Sequence, residues 1–152
     1  MNYNEIKAAL FTELNRLVEL KIESASSSIE STTESKNSAT KSTAGDKHET
    51  GRAMMERELA LSISQLQKAQ ILKNELSKIS LSRDFSKVEF GALVVTTLAT
   101  YFISVGLGNI ASKGEKCFAI SAGSPIGQAL MGRSEGEKLE FQGREIEIYQ
   151  IV

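Results

Sequence analysis

Apolar residues recur every three or four positions over residues 4–30. Ile6, Leu10, Leu14 and Leu17 begin the stripe, and Val18, Ile22, Ala25 and Ile29 continue it. That period predicts a helix with one apolar face. Residues 52–80 repeat the pattern, with Met55, Leu59, Ile63, Leu66, Ala69, Leu72, Leu76 and Ile79 forming a narrow, coiled-coil-like seam. Two helices with one apolar edge each should pair antiparallel, each about 40 Å long at a rise of about 1.5 Å per residue. Between them, Ser24 to Gly51 is polar and rich in Ser and Thr. These side chains compete with the helix backbone, so the middle of this stretch is expected to be frayed or looped. A segment joining two paired helices lies at the far end of the hairpin, which places a tip near residues 36–51.

The pattern changes near Arg83. Beyond it come β-branched runs, 9 of the 11 glycines and the only proline, Pro125. Strands are predicted at Leu93–Thr97, Tyr101–Val105, Lys116–Ser121, Lys138–Gln142 and Glu145–Ile151. In the last of these, Ile146, Ile148 and Val152 share a register. Gln142-Gly143-Arg144 reads as a hairpin turn. Pro125–Met131 reads as a short helix, with Ser124 as N-cap, Pro125 at the first helical position and Gly132 as the stop. Phe90 to Ser112 carries no charge, so a hydropathy window would flag it as a membrane span. Its four Thr or Tyr positions between 96 and 101, together with Gly91, Gly106 and Gly108, favour strands joined by turns. The fold class expected is α+β: a coiled-coil hairpin over residues 1–82 and a β-rich domain with one short helix over residues 83–152.

Charge narrows the function. The net charge is −1, with 11 acidic and 11 basic residues in 1–82 and 8 against 7 in 83–152. Neither half has the basic footprint of a duplex-DNA binder, so direct binding to duplex DNA is not expected. A role on nucleic acid would need a protein partner to hold it. The single Cys117 cannot form an internal disulfide, which fits a reducing, cytoplasmic setting. No basic segment followed by an apolar run opens the chain, so no secretory signal and no membrane association are expected.

Candidate chemistry gathers at the tip. Asp46 and Glu49 are three apart, just before the second seam, and share one side of a first helical turn. Paired carboxylates suit a hard cation such as Mg²⁺, which can activate water and steady a leaving phosphate oxygen. Two carboxylates alone make a weak site, so a partner would supply the rest. The same spacing is also a capping box, with Asp46 capping the second helix and Glu49 reaching back. Lys41, Lys47 and Arg52 could face RNA or form a solvated face. His48 alone reads as a solvated tip residue, Cys117 as a small core residue, and Met54 and Met55 as packing.

Two stretches resemble a known family. Gly45-Asp46-Lys47-His48-Glu49 resembles the Gly-Asp-x-x-Glu at the coiled-coil tip of Gre transcript-cleavage factors. The run from Ser124 through Met131 to Gly132, followed by Gly136-Glu137, is similar to the signature of their C-terminal domain. Phe90 to Val95 is similar to that domain's first strand. The resemblance implies an FK506-binding-protein-like C-terminal domain that grips the rim of the RNA polymerase secondary channel. Ser124, Pro125, Ile126 and Gly132 carry over as docking positions. It implies a hairpin that enters the channel and lends Asp46 and Glu49 to the active-site Mg²⁺, close to the 3′ end of the nascent RNA. The chain would be no enzyme alone and would need no cofactor of its own; the Mg²⁺ is shared with bacterial polymerase. The sequence departs from the family after each acid, at Lys47 and at Thr50 to Ala53. Two rival functions remain open: a channel-binding regulator that inhibits, and a coiled-coil adaptor with a peptide-binding domain.

Overall fold

A computed structural model describes residues 2–40, 45–112 and 114–152, and the side chains of all of these except 36, 38–40, 45–49 and 112. The elements run α1 (Tyr3–Thr40), α2 (Gly45–Ser77), β1 (Leu93–Thr96), β2 (Thr100–Ile103), β3 (Gly108–Ser112), β4 (Glu115–Ile120), α3 (Pro125–Leu130), β5 (Lys138–Phe141) and β6 (Arg144–Ile151). The order is α+β, as the period change near Arg83 predicts. No helix among the described residues is long and apolar enough to cross a membrane. The uncharged run Phe90–Ser112 forms β1, β2 and β3 instead.

The chain divides into two compact units, residues 16–73 and residues 1–15 with 74–152. In the first, α1 and α2 run antiparallel, as the 2.8 Å ion pair between Glu19 and Lys73 registers. Val18 and Ala25 of α1 and Ser62 and Ala69 of α2 are buried. Two expectations are corrected in this unit. Residues 24–40 of the Ser/Thr-rich stretch are helical in α1 and residues 45–51 in α2, while residues 41–44 lie outside the described residues. Intrinsic propensity separates Ser or Thr from Ala by only about 0.7 kcal/mol per residue at most, and pairing of an apolar edge overrides that. The seam also shifts: Ile63 is 40% exposed while Ser62 is buried. A coiled-coil seam advances alternately by three and four residues, and Leu59, Ser62, Leu66 and Ala69 keep that step where Ile63 breaks it.

In the second unit the sheet has six strands in the order β3-β4-β2-β1-β6-β5. All neighbours are antiparallel except β2 and β4, which are parallel. Strand β3 was not predicted. Its sequence, Gly-Asn-Ile-Ala-Ser, has one β-branched residue, and pairing along β4 holds it in place. Between β1 and β2 the sequence has no strong turn signal, and Thr96 supplies the turn itself. Its hydroxyl donates to the Ala99 carbonyl (2.6 Å) and accepts from the Leu98 and Ala99 amides. Strands β5 and β6 meet in a two-residue turn, Gln142-Gly143, with φ of 52° and 77°. Two positive φ values are what a type I′ hairpin requires. The register of β6 shifts at Tyr149, opposite the step from Val95 to Thr96. This bulge puts Ile151, and not Val152, on the buried side with Ile146 and Ile148.

One face of the sheet carries the core: Val94, Ile103, Ile120, Ile146 and Ile148, with Leu130 of α3 above it. The start of α1 is capped by Asn2, whose side-chain oxygen accepts from the Asn4 and Glu5 amides. One turn on, Lys7 is 2% exposed. Its ammonium donates to the Val152 carbonyl at 2.9 Å and lies 4.7 Å from the centre of the Phe85 ring. The Arg83 guanidinium lies at the same distance from that ring. Burial, and secondarily the charge of Arg83, lowers the Lys7 pKa from 10.5 to about 8.

A lysine with a lowered folded pKa releases its proton first in the folded state. Between about pH 8 and pH 10.5 the unfolded chain therefore binds more protons, and stability rises with pH. The wild-type chain should gain stability over that window, by as much as ~3 kcal/mol at about 1.36 kcal/mol per pKa unit. Lys7→Met should lose that component of the pH dependence. Urea titrations of both proteins at pH 7.5, 9 and 10.5 measure the difference; parallel profiles would contradict it.

Candidate functional site

At the tip, α2 begins at Gly45, so Asp46 lies in its first turn and Glu49 opens the second, three residues on along the same side of the helix. Asp46 is thus inside the helix and does not precede it as an N-cap would. The side chains of Asp46, Lys47, His48 and Glu49, and all of Lys41, lie outside the described residues. A helix N-terminus carries partial positive charge, which favours carboxylates in the first turn. Two carboxylate groups offer the hard oxygen ligands that Mg²⁺ takes, but too few to complete its octahedral shell. Among the described residues no three His, Cys, Asp or Glu side chains converge. Arg52, the third cationic candidate, lies one turn further on. It pairs with Glu56 at 3.4 Å, and both side chains are about half exposed. Such an exposed pair contributes at most about 1 kcal/mol and leaves the guanidinium able to turn to another anion. Behind the tip, Ser31, Thr32 and Ser35 of α1 face Gly51, Met54 and Met55 of α2 across a shallow notch of about 290 Å³. Met54 is exposed and Met55 half-buried, so only the second lies on the seam.

The C-terminal candidates gather at the start of α3. Ser124 is the N-cap, as predicted. Its hydroxyl accepts from the Gly127 amide (3.1 Å) and donates to the Ser121 carbonyl (2.7 Å). Its one donor and one of its two acceptor lone pairs are used internally, which holds the start of α3. Pro125 opens the helix and is exposed, while Ile126 is half-buried. Gly132 has φ +80°, and its amide donates to the Val88 carbonyl at 2.8 Å. It ends the helix in a left-handed conformation that favours glycine. Of the four candidates, Pro125 and Gly132 are exposed and Ser124 and Ile126 half-buried, and Ser124 and Gly132 also shape the two ends of α3.

Three features here were not assigned from sequence. Gly127 is packed so closely that a Cβ would lie 2.2 Å from the Ser121 carbonyl oxygen. The only signal was its place in the Ser-Pro-Ile-Gly run. Next to Ile126 opens a groove of about 510 Å³, lined by Tyr101, Phe118, Phe141 and Arg144 among others. The residues come from β2, β4 and the β5–β6 hairpin, so nothing in their separate sequence contexts joins them. Tyr101 and Phe118 are stacked with ring centres 5.9 Å apart, and burial raises the pKa of the Tyr101 hydroxyl. Lys7 was the third, a charged residue set within the apolar stripe of α1. Cys117, by contrast, is a buried core residue as expected, and burial, aided by Glu115, pushes its thiol pKa up. Such a thiol is a poor nucleophile at neutral pH.

No family model matches the chain, and no curated protein matches it. Among solved structures, one described as the structure of the transcription factor Gfh1 is similar over 90% of this chain and 92% of its own, at 16% identity and a TM-score of 0.35. Similarity at that level specifies neither an activity nor a site.

The two glycines near the candidate sites should respond oppositely to alanine. Gly127→Ala forces a Cβ against backbone and should destabilise its unit by about 2 kcal/mol or more. Gly51 lies within α2 with nothing within 4 Å of a built Cβ. Gly51→Ala should therefore stabilise by up to about 1 kcal/mol, the helix-propensity difference. Urea midpoints of the two variants against wild type decide both.

Proposed function

We propose that this chain is a transcription factor of the Gre type that acts on bacterial RNA polymerase. The hairpin enters the secondary channel, and Asp46 and Glu49 help to hold a second Mg²⁺ at the polymerase active site. Polymerase then cleaves backtracked RNA and resumes elongation. The chain is not an enzyme by itself, and the Mg²⁺ is polymerase's own. Lys47, Lys41 and Arg52 lie close in sequence to the acids and would meet the RNA 3′ end or its phosphates. The β-rich domain, read as similar to FK506-binding proteins, docks on the channel rim with Pro125 and Ile126 as contacts and Ser124 and Gly132 as their support.

One observation carries this reading: α1 and α2 are long, paired helices, and the two acids lie within the first five residues of α2. At about 1.5 Å per residue, the 38 residues of α1 span about 57 Å and the 33 of α2 about 50 Å. That reach suits delivery of a small charged group to a site deep inside a partner. A capping pair needs no such reach.

The test is transcript cleavage in stalled, backtracked complexes of the cognate polymerase. Wild-type protein should shorten the RNA, and Asp46→Asn with Glu49→Gln should abolish shortening while leaving polymerase binding intact. Absence of cleavage with competition against a genuine cleavage factor would instead identify a channel-occupying inhibitor. Absence of both would remove transcription from the account and leave a coiled-coil adaptor.

A further inference from the structure

We propose that the pocket formed by residues 78–91 with Met131 binds a small phosphate monoester that carries one aromatic ring. The inference uses neither the tip acids nor the candidate polymerase contacts. None of Ser124, Pro125, Ile126 and Gly132 lines this pocket, and it shares no residue with the groove beside Ile126.

The pocket encloses about 310 Å³, at the lower end of the range of about 300–1,000 Å³ usual for ligand sites. One ring and one anionic group fill such a space. Ile79, Phe85, Phe90 and Met131 give it apolar walls. Gly91, at φ +93°, adds no side chain to them. Phe90 is half-buried and Met131 exposed, so a ring and a thioether both have free surface to cover a ligand's ring.

The polar lining is Lys78, Ser80, Arg83 and Glu89. Arg83 donates from Nη2 to Glu89 Oε2 at 2.8 Å, and Lys78 donates to Glu75 Oε1 at 3.0 Å. A guanidinium has five N–H groups and an ammonium three, so donors remain for a ligand with both ion pairs intact. The Ser80 hydroxyl lies 3.0 Å from that of Ser82. It can accept from Ser82 and donate into the pocket. Three donor groups suit the three terminal oxygens of a phosphate monoester better than the two of a carboxylate.

Charge points the same way. Behind the Phe85 wall lies Lys7, 2% exposed, with its ammonium 4.7 Å from the ring centre. Its hydrogen-bond acceptor is a neutral carbonyl, that of Val152. Lys7, Lys78 and Arg83 face two acids, Glu75 and Glu89, each already paired with one of the other two cations. One buried positive charge is therefore left without an acid. Asp84, next to Arg83 in sequence, does not line the pocket. The charge that acts on Lys7 is that of Arg83, and it lowers the lysine's pKa further than burial alone does. An anion seated against Phe85 and Arg83 offsets that excess.

The test is a nuclear magnetic resonance titration of the full chain with phenyl phosphate, set against inorganic phosphate and benzyl alcohol. Phenyl phosphate should bind saturably and more tightly than either of the others, by about tenfold or more. Amide shifts should map to residues 78–91 and Met131. Arg83→Gln, at a half-exposed position, removes charge-assisted bonds and should weaken binding by about tenfold or more. Glu89→Gln removes the acid that lines the pocket and should tighten it. From pH 7 to pH 9.5 the ligand stays a dianion while Lys7, with a pKa of about 8, loses its proton. Wild-type affinity should therefore fall severalfold over that range, and the affinity of Lys7→Met should stay level. The proposal is overturned if phenyl phosphate does not saturate, if inorganic phosphate binds as tightly, or if the shifts map elsewhere. It is equally overturned if Arg83→Gln binds as wild type does, or if wild type is as indifferent to pH as Lys7→Met.

Discussion

The pairing of α1 with α2 along one narrow seam is the constraint on which the candidate tip depends. Neither helix is a strong helix former at that end. Residues 24–40 of α1 are dominated by Ser and Thr, and α2 contains Gly51 in its second turn. A helix of such composition gains little from its own hydrogen bonds in water. What keeps it helical is burial of a thin set of side chains, including Val18, Ala25 and Ala69. Alanine and serine on a seam bury little apolar area but let two helix axes approach closely. The same choice limits the energy available, since burying a full Leu or Val stabilises by about 1.5–3 kcal/mol and an Ala by much less.

Much of the fold was legible in the sequence. The period that begins with Ile6, Leu10, Leu14 and Leu17 located the first 27 or so residues of α1, and Ser124-Pro125 with Gly132 marked both ends of α3. Gln142-Gly143 marked its hairpin. What escaped had physical reasons. The Ser/Thr run was read by its local preference, and tertiary pairing outweighed that preference. Ile63 was assigned to the seam by its hydrophobicity, whereas the step of the supercoil selects Ser62. The side of Ile151 depends on a bulge at Tyr149, which no period of two can reveal. Strand β3 has almost no propensity of its own and exists because β4 offers it an edge.

The candidate sites were legible to different degrees. Asp46 and Glu49 could be singled out because they are near neighbours in sequence, and a short motif is visible where it stands. The groove residues could not, because Tyr101, Phe118, Ile126 and Arg144 meet only after a sheet with one parallel pair has formed. Ser124 and Gly132 showed the opposite difficulty. Their motif is conspicuous, yet their polar groups shape α3, Ser124 at its start and Gly132 at its end.

The bond from Lys7 to the Val152 carbonyl joins residues 145 positions apart, and β1 lies between β2 and the distant β6. On the ribosome, the start of α1 therefore waits until Val152 has been made before its buried ammonium can meet its acceptor. Until then, the middle of the sheet has an unpaired edge at β1, with apolar Leu93, Val94 and Val95 along it. Contacts so distant in sequence form slowly, and an open apolar edge invites association between nascent chains. The α1–α2 hairpin, whose partners lie much closer together in sequence, can be complete while the β-rich unit is still being made.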